Sequence, residues 1–378
     1  MREMKELVFE LLERMIAADT TNPPGNEAQA ARYIGERLRQ EGFQVNYQRV
    51  AEGRENVIAS VGDSSAKEII LTGHLDVVPA GEGWKKPPFE MTRSEGKIWG
   101  RGSSDMKGAV AAMMAAAVKA AKKPKLLSEK KITLVFVCDE EVSGDGSRVF
   151  VRNYHPAKET LVIIGEPTKM QVQIAHRGIS RFRVDIGGQQ AHAATPEKGI
   201  NPILEMSRFL LAVERFNQDR AKKQQYGILP PPVITPTILH AEVKENMIPP
   251  VCSALLDCRT VEGETEEMLR GQLTLLFLES RQNSQTTFQL ETLLCAPVGT
   301  SSRESSCCRT AVQALGGGQT VGCFNGSTDM PIFTENGYRN TIICGPGSLE
   351  LAHQIDEYVE EEQIRKAVGF YENFLVLA

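Results

Sequence analysis

The chain has 378 residues, 41% of them hydrophobic and 24% charged, a balance that excludes disordered and collagen-like chains; at roughly 150 residues per domain this length predicts two domains. A net charge of −5 leaves no electrostatic footprint for nucleic acid and no polybasic run for an anionic membrane. No stretch reaches the ~18 to 20 unbroken apolar residues of a membrane span.

Leu7, Val8, Leu11, Leu12 and Met15 recur at helical spacing and predict an opening helix. Acidic residues at its start make this segment unlike a signal peptide. Asn22-Pro23-Pro24-Gly25 then breaks the chain. A second helix is predicted over residues 27–41, stopped by Gly42. Short apolar runs at 43–50, 56–61 and 68–71 read as strands. Residues 106–121 read as a helix of small side chains lying close against a sheet. Runs rich in β-branched residues at 132–137 and 161–164 read as buried strands. Helices alternating with strands predict an α/β sandwich.

The pattern changes near His176. Strands at 181–186, 251–256 and 288–290, with helices around 203–213 and over 264–278, form a compact β-α-β-β-α-β-like block of about 110 residues. The division expected is therefore 1–176 for the first part of an α/β domain, 177–288 for an inserted α+β block, and 289–378 for the second part. The eight cysteines form no Cys-x-x-Cys. In a chain of this length they read as reduced thiols of a cytoplasmic protein.

Four polar clusters follow apolar strands. They are Gly73-His74-Leu75-Asp76, the stretch from Gly100 to Gly108, Cys138-Asp139-Glu140-Glu141, and Gly165-Glu166-Pro167-Thr168. A fifth, Leu351 to Glu357, lies in the tail. In open α/β sheets, sites form beyond the carboxyl ends of the strands, which would bring these clusters together. Unpaired, so many carboxylates would repel and raise one another's pKa. Two divalent cations resolve that conflict, and a His/carboxylate mixture suits zinc or a similar borderline metal. Two metals about 3.5–4 Å apart with a bridging water form a hydrolytic device. Gly100-Arg101-Gly102 lacks the third glycine of a dinucleotide fingerprint. The sequence also lacks a phosphate-binding Gly-x-x-x-x-Gly-Lys loop and a Gly-x-Ser-x-Gly elbow.

At these residues the sequence resembles the dinuclear-zinc amidohydrolases that include acetylornithine deacetylase, succinyl-diaminopimelate desuccinylase, aminoacylase-1 and glutamate carboxypeptidase. The resemblance is carried by Gly73 to Pro79, Gly100 to Gly108, Asp139-Glu140-Glu141, Gly165 to Thr168, His192-Ala193-Ala194 with Pro196, and Gly345-Pro346-Gly347 leading to Ala352-His353-Gln354. It implies a mixed-sheet α/β catalytic domain of the zinc-exopeptidase kind, interrupted by a ferredoxin-like lid domain through which two chains dimerise. It further implies two divalent metals per chain, zinc first and cobalt or manganese as alternatives. His74 and Glu166 would hold one metal, Glu141 and His353 the other, and Asp105, often followed by a cis peptide in the family, would bridge them. Asp76 would orient the His74 imidazole, Glu140 would be the general base, and His192, supplied by the partner subunit, would be the oxyanion donor. Arg177, Asn246 and Arg259 match positions that contact a substrate carboxylate, and Ser327 and Thr328 lie in a loop facing substrate. Ile355 and Met330-Pro331-Ile332 depart from the family pattern. The activity implied is hydrolysis of the amide bond of an N-acyl amino acid or short peptide with a free carboxylate. The alternatives are a dipeptidase or carboxypeptidase on the same scaffold, or a binding protein that keeps the fold.

Overall fold

A computed structural model describes residues 2–157, 159–223 and 226–378, with only the backbone of residues 2–5. The chain divides into two compact units. One comprises the residues up to Ala175 together with Gly299–Ala378, and the other is His176–Val298.

The first unit is built on a mixed sheet. Its main path runs Gln44–Ala51, Arg54–Gly62, Lys130–Val137, Lys67–His74, Leu161–Pro167, Asn340–Gly345, Gln173–His176, Gly299–Thr300. The four strands from Lys130–Val137 to Asn340–Gly345 are parallel, so their carboxyl ends share one edge. Helices cover both faces, which is why these strands are apolar throughout rather than alternating. On one face lies Lys107–Ala121, whose alanines let its backbone approach the sheet. It is covered in turn by Arg2–Ala17 and Glu361–Leu377 and is buried along almost its whole length. Phe150, Phe333 and Tyr338 pack together on the other face.

Two strands run further than the apolar runs alone predict. The run at 68–71 extends to His74, and the run at 161–164 extends to Pro167. The parallel partners continue the ladder past the last apolar residue, so His74 and Glu166 stand on strands rather than in loops. Side chains on strands are held more tightly than side chains on loops.

The second unit has a four-stranded antiparallel sheet in the order Val233–His240, Val251–Thr260, Gly178–Gly187, Thr287–Ala296. Helices Pro202–Ala221 and Glu266–Ser280 supply Phe209, Leu273 and Phe277 to its core. This is the ferredoxin-like order. The unit closes at Val298, ten residues beyond the expected boundary at 288. The last strand, read from sequence as three residues, pairs with Gly178–Gly187 along Thr287–Ala296. Its exposed Leu293 and alternating polar residues hide that length in the sequence.

The strand ends leave little room at Gly345. A Cβ built there would lie 2.1 Å from the Gly165 carbonyl oxygen and 2.7 Å from that of Glu166. Gly345→Ala is therefore expected to destabilise the protein by about 1–3 kcal/mol through forced backbone movement. Gly369, inside the last helix with nothing within 4 Å of an added Cβ, is expected to gain about 0.5–1 kcal/mol as alanine. Urea midpoints of the two variants against the parent check both signs.

Candidate metal centre

The carboxyl edge of the parallel strands gathers the polar clusters. His74 is the last residue of Lys67–His74, Glu166 lies near the end of Leu161–Pro167, and Glu140 and Glu141 follow Lys130–Val137 after a tight turn. That turn needs Asp139 in the left-handed region, at φ 69°. Asp105 precedes helix Lys107–Ala121, and its peptide to Met106 is cis. His353 comes from the turn after Asn340–Gly345, also left-handed at φ 64°.

These side chains meet. Ligand atoms of His74, Asp105 and Glu141 all lie within 4.8 Å of one another. His74 Nε2 is 3.1 Å from Asp105 Oδ1, and His353 Nε2 is 3.5 Å from Asp105 Oδ2. The Asp105 carboxylate thus offers one oxygen to each imidazole. His353 Nε2 is also 3.1 Å from Glu141. His74, Asp105 and Glu166 are buried, Glu140 and Glu141 half-buried, and His353 exposed, so the cluster opens to solvent on the His353 side.

The electrostatics show a cluster short of positive charge. Burial, with the charge of Glu166 next, pushes the Glu140 carboxyl well above its usual range. Burial and the charge of Asp105 do the same to Glu166. Burial raises Glu141 against the pull of its hydrogen bond with His353. Burial also pushes buried Asp329 up to about 6. Asp105 goes the other way: burial opposes its charge, but hydrogen bonds from His353 and His74 outweigh it and hold the carboxyl below the usual range. Hydrogen bonds to Asp105 and Glu141 raise His353 to about 10. Burial works against the charged form of His74, yet Asp105, Glu140 and Glu166 raise it well above its usual value. Imidazoles and carboxylates here share protons that divalent metals would displace, and the donor set fits such metals.

Around this cluster lie Asp76, expected to orient the His74 imidazole, and Glu357 and Asp329, whose roles carried no sequence signal. The carboxylate of Asp76 accepts from the backbone N–H groups of Glu140 and Glu141, each at 3.1 Å. Its backbone carbonyl, 2.9 Å from Nδ1, meets the His74 ring more closely than its carboxylate does at 3.7 Å. Buried Glu357 accepts from the backbone N–H groups of Gly102, Ser104 and Asp105 and pairs with buried Arg101 at 2.7 Å, so it shapes the loop that presents Asp105. Both stood in clusters visible in the sequence, but nothing there pairs residues 256 apart. Asp329 accepts from Ser147 Oγ at 2.5 Å.

The remaining expected residues fall into two groups. Thr328 is buried in the first unit and its Oγ1 accepts from Met330 N–H, while Ser327 beside it is half-buried. The others lie on the second unit. His192 is exposed, with Nε2 3.5 Å from Asn246 Nδ2. Arg259 donates to Asp257 at 2.7 Å, and Arg177 donates to the Pro231 carbonyl at 3.1 Å.

A three-layer α/β unit, interrupted by a ferredoxin-like unit, thus carries a histidine–carboxylate cluster at the ends of its parallel strands. Residues 70–376 match the model of Peptidase family M20/M25/M40, and the chain belongs to that family. It is 30% identical over 374 residues to acetylornithine deacetylase of Proteus mirabilis (strain HI4320), covering 95% of this chain and 92% of that protein. Among solved structures it resembles aminopeptidase PepT of Bacillus cereus, with TM-score 0.80, 17% identity and 98% of each chain covered. It also resembles the YXEP protein of Bacillus subtilis, described as a dinuclear metal binding peptidase, with TM-score 0.74, 14% identity, and 100% and 99% of the two chains covered.

The raised pKa of His353 gives a signed expectation for metal-free protein. Its folded value of about 10 exceeds the unfolded value, so the stabilisation from its contacts with Asp105 and Glu141 is complete below about 6.5 and lost as pH rises through about 10. Denaturation of chelator-treated protein should show this contribution fading from pH 7 to 10. In His353→Gln that part of the slope should vanish.

Proposed function

We propose that the chain hydrolyses the amide bond of an N-acyl amino acid, as an acetylornithine deacetylase or desuccinylase-like deacylase, with two divalent metals, zinc first among them. The observation that carries this reading is the Asp105 carboxylate, which turns one oxygen to His74 and the other to His353. A carboxylate so placed would suit a ligand shared by two metals. His74 and Glu166 would hold one metal, and His353 and Glu141 the other. The metals would polarise the substrate carbonyl and lower the pKa of a bound water.

The chain's own residues do the rest. The raised carboxyl of Glu140, standing among other carboxylates, suits a group that takes a proton from water and returns it to the leaving amine. Asp76 fixes the backbone of Glu140 and Glu141 by accepting their N–H groups. His192, which the partner subunit would supply, is the group to stabilise the oxyanion, and Asn246, beside it on the second unit, would hold the substrate. Arg177 and Arg259 are the clamp for its carboxylate, since Arg259 is in register with Ile179, two residues from Arg177. In that role a substrate carboxylate would take the place that Asp257 now holds on Arg259. Ser327 and Thr328 border the substrate from the first unit. A second reading, a dipeptidase or carboxypeptidase on the same metals, has support from fold neighbours described as a metallo-carboxypeptidase and a carnosine dipeptidase.

Amine release from a panel of N-acetyl and N-succinyl amino acids and dipeptides tests both readings. Activity should vanish on chelation and return with up to two metals per chain. Glu140→Gln should lower kcat by about 10²- to 10⁴-fold with metal uptake unchanged. Undiminished turnover in that variant would remove Glu140 as the base, and preference for dipeptides would select the second reading.

The same family reading includes a homodimer. The strand Val233–His240 lies at a sheet edge, is exposed over most of its length and carries exposed Ile238 and Leu239. Such an edge is a template for pairing with another chain. Sedimentation equilibrium should give the mass of two chains, falling to one when Ile238 and Leu239 are both changed to lysine. A single-chain mass for the parent would dismiss the dimer.

A further inference from the structure

The segment joining the first two helices is fastened to the floor of the metal centre. Thr20 Oγ1 donates to the Leu75 carbonyl at 2.7 Å, and Asn22 N–H donates to the Val77 carbonyl at 2.8 Å. This segment therefore runs beside the stretch that follows His74. Buried Asn22 then ties two carboxylates together. Its Nδ2 donates to Asp76 Oδ2 at 2.9 Å and to Asp139 Oδ1 at 3.0 Å.

Both acceptors control Glu140 and Glu141. The Asp76 carboxylate receives their backbone N–H groups. Asp139 is the left-handed residue immediately before them, and its carbonyl receives the N–H groups of Ser143 and Gly144 beyond them. Asp139 is held from the outside as well. Arg54 Nη1 donates to Asp139 Oδ1 at 2.6 Å, while Arg54 Nε and Nη2 grip buried Glu27. A Cβ at Gly25 would come within 2.3 Å of the Arg54 guanidinium, so the loop closes over this ion pair only because glycine is there.

The chemistry of this position is narrow. Two carboxylates joined through one side chain repel unless donors lie between them. The amide nitrogen of asparagine carries two N–H donors and no charge. A hydroxyl has one donor, an aspartate has none, and a lysine would add a cation beside the site.

We infer that Asn22 is a positioning residue for the reaction: by bridging Asp76 and Asp139 with one amide nitrogen, it fixes the backbone from which Glu140 and Glu141 project. The inference rests on the roles proposed above for those two glutamates. Through this bridge a loop 117 residues away in sequence sets both the base and a metal-ligating carboxylate. Residues that orient metal ligands in this indirect way typically change affinity or activity by about 10- to 100-fold when replaced.

The test compares Asn22→Leu, which removes both donors, with Thr20→Val, which loosens the same loop without touching either carboxylate. In Asn22→Leu, kcat is expected to fall tenfold or more at little-changed KM. Cobalt affinity, measured by chelator competition, is expected to fall by about 10- to 100-fold, and the visible spectrum of the cobalt-loaded protein to shift. Hydrogen exchange in residues 138–144 should quicken. Thr20→Val should lower only the unfolding midpoint. Should Asn22→Leu fail to fold, Asn22→Ser, with one shorter donor, carries the same readings. A variant at Asn22 that lowers the unfolding midpoint alone, or a Thr20→Val variant that shows the same losses, overturns the inference. If the parent hydrolyses nothing on the panel, the proposed reaction fails, and the exchange of residues 138–144 still decides the bridge: quickened exchange upholds it and unchanged exchange ends it.

Discussion

Like charges crowded at the ends of parallel strands are the constraint that the rest of this molecule answers. Asp105, Glu140, Glu141, Glu166 and Asp329 stand together, three of them buried outright, facing two imidazoles. Carboxylates taken out of water without counter-charge are costly. Burial raises four of these five carboxyl groups above their usual range. The fifth, Asp105, escapes because both histidines hydrogen-bond to it. A protein that keeps such a cluster keeps it for a cation, and the M20 family to which this chain belongs is one of metal-dependent hydrolases.

Holding the cluster in shape falls to a second set of charged and polar groups. Glu357 with Arg101 shapes the loop of Asp105. Asp76 fixes the glutamate pair. Arg54 with Glu27 fixes Asp139. The Arg101–Glu357 pair is almost wholly buried and Arg54 meets its two carboxylates half-buried; Glu357 also accepts backbone N–H groups and Asp139 the Asn22 amide, the condition under which buried charge is tolerable. Three non-glycine residues, Asp139, His353 and Asp356, take left-handed backbone at the rim, a conformation costing about 1–2 kcal/mol per residue. Strain of this kind collects at functional sites, where surrounding contacts enforce it.

The legible part of this design was the part written in local pattern. Apolar runs marked the strands, alanines marked the buried helix Lys107–Ala121, and dense polar clusters at run ends marked the site. What pattern could not show was partnership across the chain. Nothing local to Glu357 names Arg101, and nothing local to Asn22 names Asp76 or Asp139. Arg259 read as a candidate clamp, yet in the folded chain its side chain is engaged with Asp257, two residues before it on the same strand. The strand Val251–Thr260 sets the two on one face, but spacing does not say which of a strand's neighbours a guanidinium will choose. Boundaries failed for a related reason. The strand Thr287–Ala296 and the ends of Lys67–His74 and Leu161–Pro167 persist because a partner strand offers hydrogen bonds, and a partner is invisible from one run alone.

Topology explains how so exacting a cluster coexists with an insertion of a whole second unit. Every residue proposed for the metal centre comes from the first unit. The chain departs for the second unit after the strand Gln173–His176 and returns at Gly299–Thr300, and these two strands are neighbours in the sheet. They lie on the far side of Asn340–Gly345 from the strands that carry His74 and Glu166. Exit and return are thus joined by sheet hydrogen bonds at one flank, and the ligand-bearing strands are spared the junction. The second unit has its own sheet, two helices and a separate core. His192, Asn246, Arg177 and Arg259, proposed above to meet the substrate, belong to this unit, and Asp105 and the two histidines of the cluster to the other. On the proposed reading, the side chains that would meet the substrate stand apart from those that would hold the metals, as suits a fold that hosts more than one function.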